Sequence, residues 1–179
     1  GVAAGRGGIR RGGGYRTMSN RIPIPSVGSD HPDWTARWLQ ATNQERARNG
    51  LSPYSHHHKL AEAARLRAED MIREGYFGHD DPHDDPSHID GKYWEILQQL
   101  GVTSYSWAGE NLAANLHSPD PLGLALEGLM NSPTHRANIL SRDFTHMGTS
   151  SQIRPDGWHL FVFVYAAFHP VVSLHRGPA

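Results

Sequence analysis

The apolar positions of this chain follow two periods. From Trp34 to Arg48, the residues Trp34, Trp38, Leu39 and Thr42 recur at the spacing of one helix face. Asp30 or Asp33 can cap that helix, and Asn49-Gly50 ends it, glycine suiting a left-handed closing residue. Lys59 to Glu74 repeats the period. Leu60, Ala63, Ala64, Ala68, Met71 and Ile72 form one stripe, Glu62, Arg65, Glu69 and Arg73 lie opposite, and Gly75 stops the run. Shorter helices are predicted over residues 92–100, with Trp94, Leu97 and Leu100 inward, and from Pro121 to about Met130. Leu122, Ala125, Leu126, Leu129 and Met130 give the latter its core face.

Elsewhere the pattern is that of strands. Trp107 to Ala113, Phe144 to Ser151 and His159 to Phe168 are the predicted ones, and Pro155-Asp156-Gly157 marks a hairpin between the last two. In the last strand Phe161, Phe163 and Tyr165 alternate with Val162 and Val164, so both faces are apolar and the strand should be central and covered on both sides. Helices flanking a small, mainly antiparallel sheet, most of them preceding the strands, indicate an α+β chain with three layers, an α-β-α sandwich.

Residues 1–30 are rich in Gly and Arg and then in Pro, and read as a flexible tail or linker. An RNA-binding arm of the Arg-Gly-Gly kind is the lesser reading of that stretch, since Tyr15 is its only aromatic residue. Residues 31–170 make one domain and residues 171–179 a short tail. The length of 179 residues agrees with one domain plus a tail. The net charge of −1, with 13 histidines counted neutral, provides no field to gather nucleic acid at pH 7. Below about pH 6 those histidines would charge and turn the protein cationic. No cysteine is present, which excludes disulfides, thiolate metal sites and a cysteine nucleophile. The longest apolar run, Leu160 to Phe168, is too short to cross a bilayer. No signal peptide is visible, but the chain begins with Gly, so this says little against export.

The candidate chemistry centres on Asn131 to Leu140, which reads as a helix start. Ser132 is an N-cap residue, Pro133 suits the first helical position, and His135 falls in the first turn. The helix dipole there disfavours imidazolium, and neutral imidazole is the metal-binding form. Tyr76-Phe77 should plug into the core and fix His79 at a loop edge. Glu110 is the only acid in its strand, so it must be paired, hydrogen-bonded or on a metal. His56-His57-His58 cannot share one face and reads as a solvated run. The Asp80 to Asp90 loop has the composition of a cation loop without EF-hand spacing, and it too reads as solvated. Among the remaining histidines His146, on a strand near the candidate site in sequence, stands out.

With these residues on the page, the chain resembles the bacterial branch of the CAP superfamily, the group of cysteine-rich secretory proteins, antigen five and pathogenesis-related proteins. The resemblance runs from about Trp34 to Phe168. Its pieces, in order, are Asn43-Gln44-Glu45-Arg46 with Gly50-Leu51, Ala64 with Ala68-Glu69-Asp70-Met71, and Tyr76-Phe77-Gly78-His79. Then come Gly109-Glu110-Asn111-Leu112-Ala113, Asn131 to Leu140, and Phe144-Thr145-His146-Met147-Gly148.

The resemblance implies an α-β-α sandwich with a cleft in which relatives place two histidines and two acids, often around zinc. His79 would be the first histidine, Glu110 the first acid and His135 the second histidine; Ser132 stands where the second acid is found in many relatives. Leu129 stands where tryptophan is usual and Thr134 where glycine is common. The expected site is therefore a cleft of His79, Glu110, Ser132 and His135, with His79 and His135 as ligands of a divalent metal, zinc being the expected ion.

The leading expectation is a binding domain at the cell exterior or envelope, taking a small-molecule, lipid or peptide ligand. The alternative is a metal-dependent hydrolase or peptidase with Glu110 as general base. A structural cell-surface or spore-associated domain is the third reading. A Ser132–His135–Glu110 triad is disfavoured, because a capping hydroxyl is committed to the backbone.

Overall fold

The computed structural model describes residues 2–6, 32–82 and 91–168. The first helix, α1 (Pro32–Arg48), is followed by a two-residue strand β2 (Ser55–His56) and by α2 (His58–Glu74). Next come α3 (Lys92–Gln99), β3 (Tyr105–Asn115), α4 (Pro121–Met130) and α5 (Pro133–Ile139). The hairpin of β4 (His146–Ile153) and β5 (His159–Phe168) closes the domain. A strand β1 (Val2–Arg6) precedes them all. The sheet order is β1-β3-β5-β4-β2, antiparallel except for the β2–β4 pair.

β5 is central and buried along nearly its whole length, as its two apolar faces require. Its alternation divides the core in two. Leu160, Val162 and Val164 meet α2 and α3 with Leu60, Ala64, Ala68, Met71 and Leu97. Phe161, Phe163 and Tyr165 meet α1, α4 and α5 with Trp38, Leu129 and Ile139. Trp38 stacks on Phe163 at 4.0 Å between centroids. These are the three layers of an α-β-α sandwich.

Two glycines let elements approach more closely than a side chain permits. The ring of Phe144 lies where a Cβ on Gly109 would be, at 2.9 Å. The backbone of α2 lies over Gly148 of β4, and a Cβ there would fall 2.0 Å from the Ala61 nitrogen. That contact seats the start of α2 directly on the sheet.

Several expectations change. The stretch taken as a tail or linker, residues 1–30, contributes β1, which pairs with β3 from Val2↔Ala113 to Arg6↔Gly109; residues 7–31 lie outside the described ones. The physical reason is the free edge of β3, whose amides and carbonyls need a partner. Trp94 faces outward, 39% exposed, because the inward stripe of α3 is Tyr93, Ile96 and Leu97. β3, expected from Trp107 to Ala113, is longer than predicted, and β4 starts two residues later than Phe144, whose ring packs over Gly109.

Candidate functional site

The site is organised by two consecutive residues of β3, Glu110 and Asn111, both fully buried. Alternation sends their side chains to opposite faces of the sheet. Glu110 enters the α2 side. There Arg67, equally buried, donates from Nε to Oε2 at 2.8 Å and from Nη2 to Oε1 at 3.1 Å. Arg67 also donates to the Tyr76 hydroxyl at 2.8 Å, the Gly78 carbonyl at 2.5 Å and the His79 carbonyl at 3.3 Å. The guanidinium thus holds both the carboxylate and the loop that carries His79. Tyr76 passes the network on, donating to Asp70 Oδ2 at 2.5 Å.

His79 Nδ1 lies 2.9 Å from Glu110 Oε1. A carboxylate only accepts, so Nδ1 carries the proton and donates. In the neutral ring Nε2 is then the bare nitrogen. It is buried and has no hydrogen-bond partner among the described residues. A histidine whose far nitrogen is fixed by a carboxylate is the arrangement that orients metal ligands.

Burial alone would raise the Glu110 carboxyl, but the Arg67 charge, with hydrogen bonds from His79 and Arg67, holds it below the usual carboxylate range. For Arg67, burial opposes the charge, and Glu110 and Tyr76 outweigh it, raising the guanidinium further. The pair is ionised and closed. The Tyr76 hydroxyl is pushed up by burial and by Asp70, against Arg67.

On the α5 side the partners are neutral. Asn111 Nδ2 donates to the His135 carbonyl at 3.0 Å and, at 3.3 Å, to the Tyr165 hydroxyl. Asn138 Nδ2 donates to Asn111 Oδ1 at 2.9 Å and reaches the Glu110 carbonyl at 3.5 Å. So β3 carries His79 through the side chain of residue 110 and the His135 turn through that of residue 111.

Ser132 does sit at the N-cap of α5 with extended backbone, and its carbonyl accepts from the Arg136 amide at 2.8 Å. Its hydroxyl makes no cap bond and lies 2.5 Å from His135 Nδ1. The side-chain part of the cap expectation is therefore corrected: the imidazole, folded back over the first turn, takes the oxygen an amide would have had. Glu110 is not the third member of the serine–histidine contact, since Arg67 and His79 hold it.

Among the described residues no group of three or more His, Asp or Glu side chains is arranged to hold a metal. His79 Nε2 has the lone pair a metal needs, whereas the His135 turn, its expected companion, is anchored from the opposite face of β3. The Glu110 carboxylate, already engaged, belongs behind His79 and not on the ion. A cavity of about 660 Å³, lined by Met130, Asn131, Pro133, Arg136, Ala137 and Leu140, lies against α4 and α5; its described lining includes none of the four expected site residues.

The histidine run is only partly the solvated stretch expected of it. His57 stacks on Phe168 at 4.7 Å and on His58 at 5.1 Å, and meets His146 edge-on at 5.8 Å. The β2–β4 pairing draws it in, and His146 belongs to this cluster. Burial, and then the neighbouring histidines, lower His57; burial lowers His146. Only residues 80–82 of the acidic loop are described.

Sequence reasoning missed Arg67, Tyr76 as a hydrogen-bonding group, Asn111 and Asn138. A signal existed for Arg67. It falls seven residues after Leu60, inside the apolar stripe of α2, where a charge requires a partner.

A family model, CAP: Cysteine-rich secretory protein family, matches residues 39–166. Over 110 residues, 62% of this chain, the sequence is 34% identical to YkwD, an uncharacterized protein of Bacillus subtilis (strain 168). It is 35% identical over 112 residues to the uncharacterized membrane protein YlbC of the same organism. The matched stretch spans 39% of the first relative and 29% of the second. An extracellular protein of Bacillus anthracis containing an SCP domain superposes with a TM-score of 0.58 and 28% identity, over 76% of this chain and 44% of that one. An outer surface protein of Borrelia burgdorferi shares the fold, with a TM-score of 0.66 and 14% identity over 79% of this chain and 99% of that one.

Proposed function

Because the chain belongs to the CAP, or cysteine-rich secretory protein, family, we propose that it is a binding domain working outside the cell or at its envelope, with a cleft that takes a divalent metal beside an extracellular ligand. The extracellular description of the Bacillus anthracis protein supports the location. Among the described residues no helix is long and apolar enough to cross a membrane.

The observation that carries the reading is the Arg67–Glu110–His79 chain. It fixes the proton of His79 on Nδ1 and directs Nε2, the form a metal accepts, away from the carboxylate. His135 would supply the second nitrogen, and zinc is the expected ion. With two imidazoles the site would be open and the metal weakly held. When bound, the ion would act as a Lewis acid toward a ligand oxygen. The protein's own residues do the orienting: Arg67 pins the His79 loop, and Asn111 pins the His135 turn.

The same chain argues against the hydrolase reading. A general base works best with its pKa near the operating pH. Glu110 has been moved the other way, and both oxygens are engaged.

Calorimetric zinc titration tests the proposal. The wild-type protein should bind one ion, and His79→Ala and His135→Ala should each lose about tenfold or more in affinity, the scale of one lost ligand or its support. Equal, weak binding by all three proteins would sink it.

A further inference from the structure

β3 is paired along its whole length by β5 on one side, from Tyr105↔Phe168 to Asn115↔His159. On its other side the only described partner is β1, in register with Gly109–Ala113. Those five residues include Glu110 and Asn111, which hold the two halves of the site. β1 therefore runs along the line dividing the His79 side from the His135 side, with α4 and α5 against it.

The opposite edge of the sheet is differently made. β2 is two residues long, runs parallel, and gives way at once to α2. That edge is blunt. The β3 edge offers a longer main-chain ladder, and an exposed ladder is a template for an added strand. The sequence laid on it is Val-Ala-Ala-Gly-Arg. Residues 7–31 join it to α1.

We propose that the Gly109–Ala113 edge of β3 is a groove that accepts an extended peptide of small residues, and that β1 is its intramolecular occupant, covering the Glu110–Asn111 segment until a peptide in trans replaces it. Recognition is by main-chain hydrogen bonds. The inference deepens the binding-domain reading and rests on it for the identity of the site, but it requires no metal.

The test uses the whole chain in the presence of a chelator. Ala3→Pro/Ala4→Pro removes two successive amides, one of which faces β3 in any antiparallel ladder. Hydrogen exchange at those amides of Gly109–Ala113 that point away from β5 should speed up at least about tenfold in the variant. Free Val-Ala-Ala-Gly-Arg peptide should restore their protection, and should bind the variant at least about tenfold more tightly than wild type. Unchanged exchange, or no restoration by millimolar peptide, overturns the proposal. If the double proline disturbs β5 as well, Val2→Cys/Ala113→Cys replaces it, in a chain with no other cysteine. Oxidised, it should exclude the peptide; reduced, it should admit it. Binding indifferent to the lock overturns the proposal. Failure of the zinc titration would sink the metal reading and leave this one standing.

Discussion

On the α2 face of β3, Glu110 meets a guanidinium and an imidazole, with a phenol and a second carboxylate behind them. One residue further, on the α5 face, Asn111 meets an amide, a carbonyl and a hydroxyl. Both faces are buried and both tie a histidine-bearing segment to the strand. They differ in what failure costs. A neutral network loses hydrogen bonds when a member is removed. A charged network is left with an unpaired ion in a medium that cannot solvate it. The charged face also fixes a proton, on His79 Nδ1, whereas the neutral face fixes only the His135 backbone. The division of labour is orientation and tautomer on one side, position on the other.

The sharpest way to break the comparison is Arg67→Met. It should destabilise the protein by about 3–5 kcal/mol in urea unfolding, because it strands Glu110. Arg67→Met/Glu110→Leu should regain most of that loss. A single variant no worse than a neutral-face one would erase the distinction. Asn138→Ala comes next, at about 1–3 kcal/mol. Combined with Asn111→Ala, it should cost less than the sum, since the two share one bond.

Smaller still is the pH response. Glu110 has a depressed folded-state pKa, so its contribution is present above the unfolded carboxyl pKa of about 4.3 and is lost as pH falls through the lower folded value. The acid limb of stability below about pH 4 should therefore flatten in Arg67→Met/Glu110→Leu. His57 and His146 are also depressed, so their contribution is present above about pH 6.5 and fades on acidification. His57→Gln should remove part of the stability loss between about pH 7 and 5, read from urea midpoints across that range. The least change is expected from Ser132→Ala. This hydroxyl binds no amide, so the loss should be that of its one bond to the His135 ring, about 0.5–1.5 kcal/mol. Nitrogen shifts of the His135 ring should move as well.

The fold was legible because its signals are local. The stripe from Leu60 to Ile72 and the two-sided apolar run of β5 name their own elements, and the ordered motifs name the family. The site was legible only as a set of residue types. Arg67 and Glu110 are 43 positions apart, and no periodicity joins them. Ser132 has the right chemistry and backbone for a cap, yet a ring three residues on competes for its oxygen. β1 escaped notice because Val-Ala-Ala-Gly lacks the alternation that marks a strand; its pairing is dictated by the edge it meets. Trp94 was misplaced by one position because Tyr93 supplies the same stripe with an aromatic ring.

Gly148 lies two strands away from Glu110 in the sheet order. It nevertheless acts as the datum from which the site is measured. α2 rests on bare backbone there, so the height of the helix above the sheet is set by contact and not by a deformable side chain. Arg67 descends from that same helix to reach Glu110 at 2.8 Å. A single methyl group at position 148 would act as a shim under one end of a rigid beam. The tolerance of the carboxylate–imidazole alignment is thus inherited from a residue that contributes no atom to it.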